Sequence, residues 1–265
     1  MKYLSSIQNP LIKNILLLKE KSKARKKQGL FILEGVRELG FALKANYKLT
    51  TLLFYSELIS EDDVNQLIDN QNVELIEISK EVYQRLALRS TTEGIIAIVK
   101  TKEFSLESIR FKNKTPLILV AEAPEKPGNI GALLRTADAV NADAVFIANP
   151  KTDMYNSNII RSSVGCIFTN TIAIDSSENI IQFLQKQKVQ LFSAALKEDS
   201  EIYTKQDFTK STAIIVGTEA TGLSDEWLKQ SKNIIIPMLG VIDSLNVSVS
   251  AAIILFEANR QRSLK

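Results

Sequence analysis

Short apolar runs alternate with amphipathic stretches along most of the 265 residues, and this alternation is what most constrains the fold. The runs at residues 49–54 and 73–78 have the length of strands, and residues 61–69 between them have the spacing of an amphipathic helix. Strands separated by helices are typical of a mainly parallel sheet with helices on its faces. We therefore predict an α/β protein.

One polar and charged stretch, residues 101–115, interrupts the alternation and predicts a domain boundary. Before it we predict four strands, at residues 30–33, 49–54, 73–78 and 94–99. After it we predict strands at residues 116–120, 144–147, 171–174, 189–194, 213–216 and 233–236, with helices at 129–140 and 244–260. The sequence thus predicts two α/β domains, residues 1–105 and 112–265.

The absence of histidine and the single cysteine, Cys166, exclude several kinds of site. Neither a Ser–His nor a Cys–His nucleophile pair can form, and neither a His-ligated metal site nor a Cys₄ zinc site is available. Proton transfer must therefore use another titratable side chain, a water or the substrate itself. The sequence contains neither the Gly-rich dinucleotide fingerprint nor the P-loop pattern, which disfavours both nucleotide folds.

The lone cysteine also fits a reducing compartment. The first ten residues lack the apolar core of a signal peptide, and no apolar run approaches the ~20 residues that span a membrane. We therefore expect a cytoplasmic protein that has no membrane partner.

Basic residues are concentrated near the N-terminus, although the formal net charge of the chain is only +3. Residues 13–27 hold one acidic side chain, Glu20, and seven basic ones: Lys13, Lys19, Lys21, Lys23, Arg25, Lys26 and Lys27. A basic end on a near-neutral body favours a polyanion partner such as nucleic acid. The alternative is a solvated basic helix end.

Three segments that follow apolar strands carry polar residues suited to a site, since ligands of parallel sheets bind at the carboxyl ends of strands. The first contains a rigid turn, Pro124 to Gly128, with Asn129 as a predicted helix N-cap and Arg135 six residues further on. The alternative is an ordinary strand–turn–helix with Arg135 on a solvated face.

The second segment places Gly217 and Gly222 on either side of Glu219, directly after an apolar strand. Glycine permits close approach of a ligand to the backbone, and Ser224 can cap the helix that follows. The alternative is a glycine-containing connection with Glu219 in solvent.

The third segment runs from Ile236 to Gly240 and continues with a helix that we predict to be capped by Ser244. Asn246 and Ser248 in its first turns would form a polar site. The alternative is a face of small residues that packs against another helix or subunit, and both can hold together.

In this order and spacing the pieces PGNIGALLRTADA, IIVGTEATGLS, and IPMLG followed by SLNVSVSAA resemble the three motifs of the SpoU (TrmH-like) family of RNA ribose 2′-O-methyltransferases. The resemblance spans residues 116–261. The N-terminal part resembles the L30e-like substrate-binding domain of longer members, with FILEG as its first strand and turn. The chain departs from the common pattern at Thr218, Ala220 and Asn141.

The resemblance implies an α/β trefoil-knot (SPOUT) methyltransferase domain, S-adenosyl-L-methionine as cofactor, a homodimer and no metal. It implies catalytic roles for Arg135, Asn129, Glu219, Ser244 and Asn246. The cofactor-binding residues it implies are Gly217, Thr218, Glu219, Gly222, Ile236, Met238, Ser244 and Leu245. The RNA-binding residues that we predict are Lys23, Arg25, Lys26, Lys27, Glu34 and Arg161.

Several alternatives stay open at this point. Large-subunit (23S) ribosomal RNA is the favoured substrate, because the extra L30e-like domain resembles that of ribosomal RNA modifiers, and transfer RNA is the alternative. A non-catalytic RNA-binding protein and a knotted base methyltransferase are the rival functions. Arg135 would act either as the base or as an electrostatic activator, since arginine is normally always charged.

Overall fold

The computed structural model describes residues 2–68, 73–87, 93–218 and 221–263, which fold as two compact units. The first unit is Met1–Glu103 with Asp153–Thr169, and the second is Phe104–Thr152 with Asn170–Lys265. Each unit has its own sheet flanked by helices, so the predicted α/β class is confirmed. Residues 153–169, which lie in the predicted second domain, pack in the first unit, and the predicted boundaries stay a prediction.

The first unit has a five-stranded sheet in the order β1-β4-β3-β5-β2. Its strands are β1 (Lys2–Leu4), β2 (Leu30–Glu34), β3 (Leu49–Phe54), β4 (Glu74–Ile78) and β5 (Ile95–Lys100). Its helices are α1 (Pro10–Glu20), α2 (Ser22–Gln28), α3 (Val36–Lys44), α4 (Glu61–Leu67), α5 (Lys80–Leu86) and α7 (Ser157–Ser162). Strand β1 was not predicted, because three residues are too few to show a period.

The prediction of a mainly parallel sheet is wrong for this unit. Strand β5 runs antiparallel to both β2 and β3, whereas β1 and β3 run parallel to β4. Apolar runs predict that a strand is buried, but its direction depends on how the chain returns to the sheet, which a local pattern does not encode.

Helix α1 shows how the sequence builds the core of this unit. Asn9 accepts a hydrogen bond from the Leu11 amide, and Pro10 occupies the first helical position, so the helix start is well defined. Ile12, Ile15 and Leu18 recur at helical spacing on the buried face and belong to the same apolar cluster as strand residues of the sheet.

The 153–169 segment is held in the first unit by a buried ion pair and an aromatic cluster. The Arg25 side chain is 3% exposed, and its Nε lies 2.5 Å from Oδ2 of Asp153. The Tyr155 ring stacks on Phe31 with centroids 4.4 Å apart, and its hydroxyl donates to the Lys102 carbonyl. Burial raises the pKa of the Tyr155 hydroxyl above its usual value.

The second unit has a seven-stranded sheet in the order β10-β12-β9-β11-β6-β7-β8, and its pairings are all parallel. Its strands are β6 (Leu117–Glu122), β7 (Ala144–Ala148), β8 (Ile172–Asp175), β9 (Gln190–Ala194), β10 (Glu201–Ile202), β11 (Thr212–Val216) and β12 (Lys232–Ile235). Its helices are α6 (Pro127–Ala139), α8 (Ser177–Lys186), α9 (Asp225–Gln230) and α10 (Val247–Ser263). The trefoil knot stays a prediction.

Two predicted helix starts in this unit are wrong. Helix α6 begins at Pro127 with Lys126 as its N-cap, so Asn129 lies inside the first turn and does not cap it. Proline suits a first helical position, because its φ is already helical and its missing N–H needs no partner there. Helix α10 begins at Val247, and the side chain of Asn246, not that of Ser244, accepts the hydrogen bond from the Ser248 amide.

A search of the described residues for a helix long and apolar enough to cross a membrane finds none.

Candidate active site

The three sequence motifs meet at one edge of the second sheet. They follow β6, β11 and β12, which are parallel, so their carboxyl ends point the same way. Strands β6 and β11 are neighbours, and β9 separates β11 from β12. This is the edge at which parallel sheets bind ligands.

A cavity of about 810 Å³ opens between the loops that follow β9, β11 and β12. Its volume lies in the range that small-molecule sites occupy. Of the eight residues predicted to bind the cofactor, seven line this cavity: Gly217, Thr218, Gly222, Ile236, Met238, Ser244 and Leu245. The eighth, Glu219, lies outside the described residues and stays a prediction.

The loop after β11 is folded tightly on itself. The Thr218 amide donates to the Gly222 carbonyl at 3.0 Å, and the Gly222 amide donates back to the Thr218 carbonyl at 3.1 Å. A Cβ atom added at Gly217 would lie 2.2 Å from the Gly222 carbonyl oxygen, so a side chain there would force the loop open. Glycine at this position is therefore required by the close approach of two backbone segments.

The chemistry of the cavity wall is mixed. Val216, Ile234 and Ile236 supply apolar surface at the strand ends, whereas Asp225 and Asp243 supply two carboxylates. Lys197 is also part of the wall. This wall suits a ligand that combines a flat apolar group with positive charge and a small anionic group.

Two residues predicted to be catalytic touch each other. The Asn246 side-chain amide donates to Oδ1 of Asn129 at 3.2 Å, which joins the first motif to the third. Ser244 is exposed, and its hydroxyl donates to the Asp243 carboxylate at 3.0 Å. Arg135 is exposed on α6 and is not part of the cavity wall. No group of three or more potential metal ligands occurs among the described residues.

The predicted RNA-binding residues of the first unit fall into two groups. Lys23, Lys26 and Lys27 are exposed on α2, and Arg161 is exposed on α7. These four are free to contact a phosphate backbone and stay predictions.

The other two predicted RNA contacts are not available in this structure. Arg25 is buried, because its guanidinium pairs with Asp153 and donates to the carbonyls of Leu18 and Lys19. The prediction that Arg25 contacts RNA is therefore wrong. Glu34 is paired with Lys19 at 2.7 Å, and both of those side chains are less than a tenth exposed.

Sequence reasoning missed Glu122, the last residue of β6. Its buried carboxylate accepts hydrogen bonds from the Ser224 amide and hydroxyl, at 2.8 and 2.6 Å. Ser224 is the N-cap residue of α9, but its hydroxyl does not cap that helix, because it donates to Glu122 instead. An acid at the end of an otherwise apolar strand is the sequence signal that would have revealed this contact.

Comparisons with known proteins agree with the motifs. Residues 116–256 match the SpoU rRNA Methylase family, and residues 9–97 match the MRM3-like substrate binding domain. The chain is similar to the Bacillus subtilis (strain 168) 23S rRNA (guanosine(2553)-2′-O)-methyltransferase RlmP, 27% identical, with 97% of this chain and 98% of that protein aligned.

Two further similarities differ in how much of the chain they cover. The Thermus thermophilus tRNA (guanosine(18)-2′-O)-methyltransferase is 36% identical but aligns with only 59% of this chain and 81% of its own length. The crystal structure of the AdoMet-bound rRNA methyltransferase from Sinorhizobium meliloti is 26% identical with a TM-score of 0.88, covering 98% of this chain and 97% of that one. The motif resemblance is thus confirmed: the chain belongs to the SpoU rRNA Methylase family.

Proposed function

We infer that this chain is an RNA methyltransferase that transfers a methyl group from S-adenosyl-L-methionine to a ribose 2′-hydroxyl. The observation that carries this inference is the cavity built from the second and third motifs, in a chain of this family, with the Asn129–Asn246 contact joining the first and third motifs. No other part of the described chain brings the three motifs together.

The cavity wall fits the donor. The apolar strand ends at Val216 and Ile236 suit an adenine ring, and the carboxylates of Asp225 and Asp243 suit the positive charges of a sulfonium and an amino group. Lys197 suits the donor's own carboxylate. S-adenosyl-L-methionine supplies an activated methyl group when it is bound.

The residues of the chain then have to align a ribose with that methyl group and remove a proton. The Asn129–Asn246 hydrogen bond fixes two amides where α6 and α10 begin, so both present a set direction to a ligand. Alignment of two reactants is worth about 7–11 kcal/mol of barrier in favourable cases, so fixed groups of this kind contribute most to the rate.

Arg135 is the candidate for the 2′-oxygen and its adjacent phosphate. Its guanidinium is planar and forked, which matches a phosphate in two hydrogen bonds. Because arginine stays protonated at ordinary pH, we assign it electrostatic stabilisation of the developing oxyanion, with the phosphate or a water accepting the proton. Glu219 and Ser244 are proposed to position the substrate.

Large-subunit ribosomal RNA is the favoured substrate. The 23S rRNA relative RlmP aligns with 97% of this chain and therefore includes the first unit, whereas the tRNA relative aligns with 59%. The match of residues 9–97 to a substrate-binding domain points the same way. We propose that this unit binds ribosomal RNA through Lys23, Lys26, Lys27 and Arg161.

We also propose that the chain forms a homodimer through α10. This helix is apolar on both sides, since Ile254 and Leu255 are buried whereas Val249 and Phe256 are 45% and 50% exposed. A helix with an apolar outer face is typical of a contact surface. A second copy of the chain is the occupant that we propose, because the same apolar face on both subunits forms a self-complementary contact.

Methyl transfer is tested with labelled donor and unmodified RNA. Purified protein is incubated with unmodified ribosomal RNA or transfer RNA, and the product is digested to nucleosides. We expect a 2′-O-methylated nucleoside from ribosomal RNA. A methylated base would contradict ribose chemistry, label in transfer RNA alone would contradict the substrate, and no label with no donor binding would contradict the enzyme.

The dimer is tested by light scattering at micromolar concentration. We expect twice the monomer mass for the wild-type chain and the monomer mass for Phe256→Asp. Leu58→Asp is the matched control, because Leu58 is 52% exposed in the first unit, and this variant should stay dimeric. A wild-type monomer, or a dimeric Phe256→Asp variant, would contradict the proposed interface.

A further inference from the structure

Glu122 is a buried carboxylate at the carboxyl end of an interior strand of the second sheet. It is the last residue of β6, which lies between β11 and β7, and it is 6% exposed. Its two oxygens accept three hydrogen bonds, one from the Ser224 amide, one from the Ser224 hydroxyl and one from the Ser177 hydroxyl at 3.2 Å. Among the described residues no lysine or arginine pairs with it.

Two hydrogen bonds that the Ser177 hydroxyl accepts fix the direction in which it donates its own proton. It accepts from the Trp227 indole N–H at 2.9 Å and from the Asn149 side-chain amide at 3.0 Å. A hydroxyl has one proton and two lone pairs, so with both lone pairs used its proton must go to Glu122. Glu122 is therefore needed as an acceptor on this side.

Glu122 is also connected to the cavity wall, through its hydrogen bonds to Ser224. Ser224 is exposed, but its amide and hydroxyl both donate to Glu122, whereas its two neighbours Leu223 and Asp225 line the cavity. Ser224 is thus anchored by the Glu122 carboxylate, while Thr218 and Gly222 are held to each other by two backbone hydrogen bonds.

We propose that Glu122 is a positioning residue for the methyl donor, which acts through Ser224 to hold the loop after β11 in the shape that receives the adenosyl group. This role rests on the proposed function. It differs from a purely structural role because it predicts a change in donor affinity that is separate from any change in stability.

The first test is Glu122→Gln in the full-length protein, with S-adenosyl-L-methionine as the titrant. Glutamine keeps the shape, and its one oxygen can still accept from the two hydroxyls, but its N–H₂ group then faces the Ser224 amide, which is itself a donor. We expect the donor Kd and the donor KM to rise about tenfold, while kcat at saturating donor and RNA stays within threefold. Glu178→Gln, at an exposed site on α8, is the matched control and should leave both constants unchanged.

Serine variants separate the two arms of the network. Ser224→Ala removes the hydroxyl donor but keeps the backbone N–H donor, so it should raise the donor Kd by a smaller factor than Glu122→Gln. The double variant should lose less than the product of the two single effects, because both substitutions act on the same contact. Ser177→Ala should lower the melting temperature, since Trp227 and Asn149 lose their acceptor, while the donor Kd stays within threefold. If Glu122→Gln does not fold, Ser224→Ala alone decides.

The proposal is overturned if Ser224→Ala binds the donor as tightly as the wild-type chain, or if Glu122→Gln changes only the melting temperature. It is also overturned if the effects of Glu122→Gln and Ser224→Ala on the donor Kd simply multiply. A wild-type chain that does not bind the donor would instead overturn the proposed function, and this role with it, so the two failures are distinguishable.

Discussion

The part of the second unit around the methyl-donor cavity and the basic helix α2 of the first unit differ in how their polar side chains are held. Around that cavity, Asn129, Glu122 and Ser224 are held by hydrogen bonds to side chains or backbone of other elements. On α2, Lys23, Lys26 and Lys27 are exposed. Fixed polar groups suit the alignment of reactants, whereas exposed lysines suit a phosphate backbone, whose contacts need no single geometry.

Arg25 shows why this difference cannot be inferred from charge alone. It belongs to the same basic run as the three lysines, but its guanidinium is buried against Asp153 and two carbonyls. A run of like charges can therefore contain both a buried arginine that pairs inside the protein and exposed lysines that form a cationic surface. We therefore expect methyl transfer, stability and RNA affinity to respond to substitutions at different residues.

The largest effect is expected from Arg135→Ala. If the guanidinium stabilises the developing oxyanion, its loss should reduce the single-turnover rate at saturating RNA by about 10²–10³-fold, in the range typical of such groups. The Kd values for donor and RNA should stay within threefold, so that the loss is in kcat. Arg135→Lys should fail almost as badly, because a compact ammonium does not reproduce the planar fork.

Arg110→Ala is the matched control for this loss. Arg110 is exposed in the same unit, and its guanidinium donates to the carbonyls of Glu107 and Ile109. Its removal should leave the rate unchanged. If Arg135→Ala keeps more than about a tenth of the wild-type rate, a deficit below ~1.4 kcal/mol, Arg135 is a peripheral phosphate contact.

The next effect is on stability. Asp153→Ala leaves the buried Arg25 guanidinium without its carboxylate and removes the acceptor of the Tyr155 amide. Breaking a buried pair in this way costs about 3–5 kcal/mol, so urea unfolding should show a large loss in the free energy of unfolding. Glu74→Ala is the control, because Glu74 pairs with Lys2 at an exposed site and should cost about 0–1 kcal/mol.

An Asp153→Ala variant that is as stable as Glu74→Ala would contradict this prediction. It would mean that the Arg25–Asp153 pair adds little to the free energy of unfolding. RNA affinity and its salt dependence, measured on the same variant, would then show whether the unpaired Arg25 guanidinium contacts RNA.

The smallest effect is expected from the lysines of α2. Replacing Lys23, Lys26 and Lys27 by alanine should weaken RNA binding modestly and reduce the slope of log affinity against log salt by up to about three units. The donor Kd should not change. A triple alanine variant at the exposed Lys186, Lys188 and Lys229 of the second unit controls for net charge.

Equal losses in the two triple variants would show that net charge, not the α2 surface, sets RNA affinity. An unchanged slope in the α2 variant, with donor binding also unchanged, would show that α2 is a solvated basic helix and that RNA is held elsewhere.

The sequence by itself determined the α/β class, the family and seven of the residues that line the donor cavity. The apolar runs before residues 123, 217 and 236 fix buried strands, and the turn residues after them must lie at strand ends because proline and glycine interrupt the strands. These are local properties. The resemblance of the motifs to the family then implied a cofactor-binding set, of which Gly217, Thr218, Gly222, Ile236, Met238, Ser244 and Leu245 line one cavity.

Only the tertiary structure decided which charges and polar groups are used inside the protein. The partner of Arg25 is 128 positions away, and the partners of Glu122 are 55 and 102 positions away. The direction of β5 depends in the same way on the path of the chain between strands. Hydrogen bonds and ion pairs act over a few ångströms in space, whereas a sequence pattern records only neighbours along the chain, so contacts of this kind are set by the fold.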